Sequence, residues 1–142
     1  MSDPLVTLTD NPEPALRERV AAGLGAYNEA AAGVSDSRPL AIAVRDPASG
    51  EYVGGLTGRT SLGLLFIDLF FLPEPLRGAG WGSRILAMAE AEAIRRGCNA
   101  AVLYTISFQA PDFYVKQGYS VFGEIASGPP GTRRVFLTKR FD

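Results

Sequence analysis

Between Leu76 and Ile85 the chain reads LRGAGWGSRI: Arg77 is followed by glycines at alternate positions, Gly78, Gly80 and Gly82, just before an apolar-periodic segment. Glycine inside a helix costs about 0.8–1 kcal/mol against alanine, so three of them at a helix start need a cause. Two causes fit. Unpaired amides in a helix's first turn, together with its dipole, bind an anion, and glycines let a phosphate approach the backbone without a Cβ in the way. A tight turn with close helix–sheet packing is the other. A P-loop needs Gly-x-x-x-x-Gly-Lys-[Ser/Thr], and a dinucleotide fingerprint needs Gly-x-Gly-x-x-Gly within a βαβ unit. The spacing here, Gly-x-Gly-x-Gly after a hairpin-linked run of strands, matches neither.

The groups able to move a proton are few. The chain has no histidine and a single cysteine, Cys98. That excludes Ser-His-Asp and Cys-His machinery, His-ligated metals, Cys-cluster zinc sites and an intramolecular disulfide, and no metal is expected. Asp68 lies within LLFIDLFFL, an otherwise apolar run where an unpaired charge is expensive. Burial there would tune its carboxyl toward base chemistry. A structural pair with Arg59, or an anchor for a substrate ammonium, would use the same residue differently. A water chain ending at Asp68 or Glu51 is the fallback base. Cys98 reads as a small core residue.

Composition bounds the setting. The 142 residues suit one domain, 1–142, with 46% hydrophobic and 20% charged residues. No apolar run is long enough to span a bilayer and the start lacks a signal peptide's pattern, so a cytoplasmic location is expected. A net charge of −1 argues against nucleic acid or an anionic membrane as partner. Arginine and lysine cluster at Arg77, Arg84, Arg95 and Arg96, and again at Arg133, Arg134, Lys139 and Arg140, where the bland reading is a solvated face.

The elements that must position these residues follow from periodicity and punctuation. LVTLT (5–9) alternates as a short strand, and Leu16, Val20, Leu24 and Tyr27 mark one face of a helix closed by Gly33. LAIAV and YVGGLTGRTS are strands about a hairpin turn, and 64–72 is a nearly continuous apolar strand, expected to be central and buried. The quoted loop precedes a helix over about 80–96, whose path is marked by Trp81, Ile85, Met88 or Ala89, and Glu92 or Ala93, with Leu86 and Ile94 widening the buried stripe. A strand, a short helix over QAPDFYVKQG, and two further strands complete an α+β order β-α-β-β-β-α-β-α-β-β. The expected sheet is mixed, mostly antiparallel, of six to seven strands flanked by about three to four helices.

Arg77-Gly78-Ala79-Gly80-Trp81-Gly82 fits Arg-x-x-Gly-x-Gly, and Ser107, Ala110, Tyr114, Gly118 and Tyr119 fall at the places of Asn-x-x-Ala-x-x-x-Tyr-x-x-x-Gly-Phe. Together these motifs resemble the acetyl-coenzyme A signature of the GNAT superfamily of N-acetyltransferases, over most of the chain. Ser107 stands where the pattern has asparagine, and Pro111 is also less usual. The resemblance implies that amides of Gly78, Ala79, Gly80, Trp81, Gly82 and Ser83, with Arg77, hold the pyrophosphate of acetyl-CoA. It implies that the edge of the 64–72 strand, at Leu69, Phe70, Phe71 and Leu72, pairs with the pantetheine arm, which Ser107 and Ala110 also approach. A bulge would splay this strand from the next. Tyr114 matches the family's general acid, and a strand amide near 69–71 would hold the oxyanion. Acceptor contacts would come from Tyr27, Asn28, Glu29, Thr57, Arg59, Ser61 and the SGPPGTRR loop; Tyr27 reads first as a core residue, and Arg59 could bind an acidic group. The activity so implied is acetyl transfer from acetyl-CoA to a primary amine, of a small molecule rather than a protein, in a chain that could form a homodimer. A non-catalytic acyl-CoA-binding module and a protein lysine or N-terminal acetyltransferase are the alternatives.

Overall fold

Alternation decides what each strand buries. In the computed structural model, which describes residues 2–142, β2 (Tyr52–Ser61) buries Leu56 and Thr60 while Thr57 and Arg59 are exposed. Its neighbour β3 (Leu64–Phe71) buries Leu65 and Ile67 on the same face. Four further strands join them: β1 (Arg38–Arg45), β4 (Ala100–Ile106), β5 (Ser120–Ala126) and β6 (Arg133–Arg140). The sheet runs β1-β2-β3-β4-β6-β5, antiparallel throughout except between β3 and β4. That parallel pair needs a crossover, supplied by helix α2 (Trp81–Arg95). Helix α3 (Pro111–Lys116) links β4 to β5.

The core lies between α2 and one face of the sheet. Ile85, Leu86, Ala89 and Ala93 pack with Leu40, Leu56, Leu65, Ala101, Leu103 and Leu137. Trp81, Met88 and Ile94, expected in this stripe, are exposed: they fall outside the arc that faces the sheet. Cys98 is buried beside this core, as expected of a small apolar residue, and burial pushes its thiol up from the ordinary range. Among the described residues no helix is long and apolar enough to cross a membrane.

The chain divides into two compact units, the first ending at Ser35 and the second spanning Asp36–Asp142. The first holds helix α1 (Pro14–Ala32), which starts on a proline in its first turn and ends at left-handed Gly33, whose N–H donates to the Glu29 carbonyl at 2.8 Å. Taken by itself, α1 buries none of its side chains. The strand expected at 5–9 is absent, and Leu5, Val6 and Leu8 are exposed. Alternation alone makes no strand: a ladder needs a partner, and this unit contains no other strand.

Candidate active site

Strand β3 carries a bulge. Thr57 on β2 pairs with Leu69 and the next residue, Gly58, pairs with Ile67, so Asp68 is the extra residue. Gly58 is required there, because a Cβ would collide with the Phe66 carbonyl oxygen. Pairing to β4 covers only Leu64, Leu65 and Phe66, opposite Ala100, Ala101 and Val102. Beyond Phe66 the two strands part: β3 continues on β2, and β4 continues on β6. Backbone groups of β3 that face β4 over residues 67–71 have no strand partner, which is what an extended ligand needs to add itself as a strand.

The strand also overturns two expectations. Asp68 is exposed instead of buried: alternation from buried Leu65 and Ile67 turns it outward, and the bulge leaves Leu69 exposed beside it. Among the described residues no ion pair joins it to Arg59, whose guanidinium lies over the Phe66 ring at 4.4 Å. Leu69 and Phe71 are likewise exposed, at 68% and 57%, so the strand expected to be buried throughout is buried only in its first half.

After β3 a single 3-10 turn (Glu74–Leu76) leads into the glycine loop. The three glycines separate by cause. Gly78 and Gly80 adopt left-handed backbone, φ +80° and +86°, and nothing lies within 4 Å of where their Cβ would be. Gly82 has helical backbone, but a Cβ would stand 3.2 Å from Cε1 of Phe113 on α3. The first pair shapes an open loop; the third admits a neighbouring helix. Close packing thus accounts for Gly82, against α3 rather than the sheet, and left-handed turn geometry accounts for Gly78 and Gly80. Arg84 N–H donates to the Gly80 carbonyl at 3.1 Å, the first bond of α2, so the amides of Trp81, Gly82 and Ser83 lack helical acceptors. With the α2 dipole behind them, they suit an anion such as a pyrophosphate.

The surrounding charge agrees with that use. Arg95 and Arg96 pair with Glu92, Arg133 with Glu124, Lys139 with Glu90 and Arg140 with Asp142. Arg77 and Arg84 have no carboxylate partner among the described residues. The first donates to the Leu72 carbonyl at 2.8 Å and the second lies 5.1 Å over the Trp81 ring. A polar hollow of about 240 Å³ elsewhere, lined by Asp36, Arg38, Thr60, Glu92, Arg96 and Cys98, adjoins the opposite end of the β2–β3 pair. Its Arg96 is committed to Glu92, Thr60 and the Pro39 carbonyl, so this hollow is separate from the glycine loop.

Tyr114 reaches the site through a row of aromatic rings. Phe70 on β3 meets Phe113 edge-on with centroids 6.1 Å apart, Phe113 meets Tyr114 at 5.2 Å, and Tyr114 meets Tyr119 at 5.8 Å. The row ties the diverging end of β3 to α3, and Phe113 touches the loop at Gly82 as well. Tyr114 is 8% exposed, and burial pushes its phenol up to about 12. The hydroxyl is therefore protonated throughout the neutral range.

This glycine loop before a crossover helix, on a sheet split between its parallel strands, has counterparts in known proteins. Residues 6–119 match the acetyltransferase (GNAT) family. The chain belongs to this family. An acetyltransferase of Agrobacterium fabrum, Atu2258, is 40% identical over 118 residues, which cover 83% of this chain and 85% of that one. Blasticidin-S acetyltransferase of Streptomyces morookaense is 38% identical over 109 residues, 75% of this chain and 80% of that one. A crystal structure of an acetyltransferase from Agrobacterium tumefaciens superposes with a TM-score of 0.86 at 36% identity, over 96% of this chain and 99% of that one. By class the protein is thus an acetyl-CoA-dependent N-acetyltransferase.

Within the GNAT framework the expected site residues fall in different places. Phe70 and Tyr114 are joined through Phe113, which meets the loop at Gly82, and Arg77 returns to the end of β3 at the Leu72 carbonyl and the Phe71 ring; Leu69 is exposed on the same strand. Ala110 is the exposed N-cap of α3. The Ser107 hydroxyl accepts from the Arg133 N–H at 3.1 Å, so it serves the junction with β6. Tyr27 and Asn28 lie on α1, in the first unit. Phe113, Gln117 and Glu90, which contact Tyr114, Ser83 and Tyr119, were not singled out by the sequence, whereas Tyr119 fell within the second motif. The clue for Glu90 is its position seven residues after Ser83 on α2, two turns along the same face.

Proposed function

We propose that the protein transfers the acetyl group of acetyl-CoA to the primary amine of a small molecule by direct attack. The observation that carries this reading is the split between β3 and β4 beside the open loop at Gly78 and Gly80. Amides of the loop and first turn of α2, with Arg77, hold the pyrophosphate, and residues 69–72 align the pantetheine arm as an added strand. That arrangement delivers the thioester to the bulge.

The amine nitrogen then attacks the thioester carbonyl, and the tetrahedral oxyanion accepts from a β3 amide over 69–71. As the carbon–sulfur bond breaks, the Tyr114 O–H hydrogen-bonds to the sulfur and supplies its proton. The proton lost by nitrogen passes to Asp68, directly or through water, and solvent restores the phenol. One amide and one thiol result. A phenol near 12 is a weak donor to a thiolate of pKa near 8.5, so its hydrogen bond acts while charge builds on sulfur and the full proton follows as nitrogen loses its own. Asp68 and Arg59 are both exposed, which leaves them free to meet an ammonium and an acidic group on the acceptor.

A small-molecule acceptor is supported by the blasticidin-S acetyltransferase relative. The test is thiol release from acetyl-CoA with a panel of blasticidin S, amino acids, polyamines, aminoglycosides and peptides. Release with at least one small amine is expected. Release with none, or with peptides alone, would reject this proposal.

A further inference from the structure

Glu90 holds two partners with one carboxylate. Its Oε2 accepts from the Tyr119 hydroxyl at 2.8 Å and its Oε1 from Lys139 Nζ at 2.8 Å. The side chain of Glu90 is 13% exposed and Tyr119 is 2% exposed, so these bonds are largely shielded from water. Three elements meet at this point: α2, whose first turn belongs to the glycine loop, the segment entering β5, and β6. A second tie runs alongside, from Gln117 Nε2 to Ser83 Oγ at 2.9 Å.

Tyr119 grips Tyr114 directly. Its backbone N–H donates to the Tyr114 carbonyl at 3.0 Å, and its ring packs edge-on against the Tyr114 ring. Helix α3, which carries Tyr114, has only six residues, too few to be rigid by its own hydrogen bonds. No side-chain hydrogen bond holds the Tyr114 hydroxyl among the described residues. Its position is therefore set from outside the helix. Phenylalanine at 119 would pack the same ring but leave the Glu90 carboxylate with Lys139 alone.

We propose that Glu90, Tyr119 and Lys139 are positioning residues for acetyl transfer, their shared carboxylate fixing the Tyr114 phenol at a set distance from the amides of the glycine loop. The inference rests on Tyr114 being the acid. The ion pair is partly buried, with the Lys139 side chain 28% and that of Glu90 13% exposed, and the Tyr119 hydroxyl occupies the other Glu90 oxygen. Displacement of a reacting group by about 1 Å can lower a rate about 100-fold, so a latch of this kind acts on turnover more than on donor binding.

A double-mutant cycle between Tyr119→Phe and Tyr114→Phe tests this, with acetyl-CoA and blasticidin S, or whichever panel amine the enzyme prefers. Tyr119→Phe is expected to lower kcat about tenfold with the KM for acetyl-CoA within about twofold. In the Tyr114→Phe background the same change is expected to have almost no effect, because the residue it positions has lost its hydroxyl. Glu90→Gln should reproduce the kcat loss if Tyr119→Phe proves too unstable, and Lys139→Arg should retain most turnover. An equal loss from Tyr119→Phe in both backgrounds would reduce the cluster to a packing feature and overturn the proposal. Wild-type kcat in Tyr119→Phe beside slow Tyr114→Phe would overturn it while sparing the acid. Wild-type kcat in Tyr114→Phe would remove the acid and the latch together.

Discussion

Strand β3 is two structures joined end to end. Residues 64–66 are paired on both sides, to β2 and to β4, and Leu65 there is fully buried. Residues 67–71 keep β2 and lose β4, and Leu69 and Phe71 face solvent. The residue types hardly differ, for both halves are apolar apart from Asp68. What differs is the bulge at Asp68 and the departure of β4 toward β6. The first half is scaffold. The second is an edge without a β4 partner, the edge that the proposed reading gives to the donor.

The comparison can be broken in four ways. The largest effect is expected in the paired half. Leu65→Ala should cost about 2–5 kcal/mol in denaturant unfolding while leaving the acetyl-CoA Kd of the folded protein unchanged. A change in Kd with no loss of stability would place ligand contacts in the wrong half. Next, Tyr114→Phe should lower kcat about 100-fold with little change in acetyl-CoA affinity by calorimetry. Undiminished turnover would remove its role as acid.

A third effect follows from the raised phenols. Below about pH 10, the ordinary tyrosine value, folded and unfolded chains both hold the Tyr114 proton and stability is unaffected. Between about 10 and the folded value near 12, the unfolded chain ionises first, and stability falls by about 1.4 kcal/mol per pH unit. Tyr119, pushed up by burial and by the Glu90 charge, adds loss of the same sign. Melting temperatures measured from pH 9 to 12 should therefore fall more gently for Tyr114→Phe than for wild type; parallel curves would contradict its burial. The smallest effect is in the split half: Leu69→Ala should change stability by no more than about 0.5 kcal/mol. A loss as large as that of Leu65→Ala would show that the two halves are alike.

Much of this was legible in the residues. Arg77 with its alternate glycines located the loop, and the order of strands and helices from Leu40 onward follows from alternation and turn residues. The split between β3 and β4 had to come through resemblance, since an apolar run reads the same whether its partner stays or leaves. Asp68 was misjudged for that reason: a carboxylate among apolar residues signals a buried charge or a bulge, and only the register with Thr57 and Gly58 separates them. The strand at 5–9 failed because pairing is a property of two segments. The Glu90–Tyr119 and Ser83–Gln117 hydrogen bonds span 29 and 34 residues of sequence, so helical spacing and the motif mark single members but not the pairing.

The central claim is that the donor occupies the split half and the glycine loop. Amide hydrogen exchange with and without acetyl-CoA measures this directly. Added acetyl-CoA should slow exchange over residues 69–72 and 78–83 and leave residues 64–66, already paired on both sides, unchanged. Protection spread evenly over β3, or absent from the loop, would contradict the account.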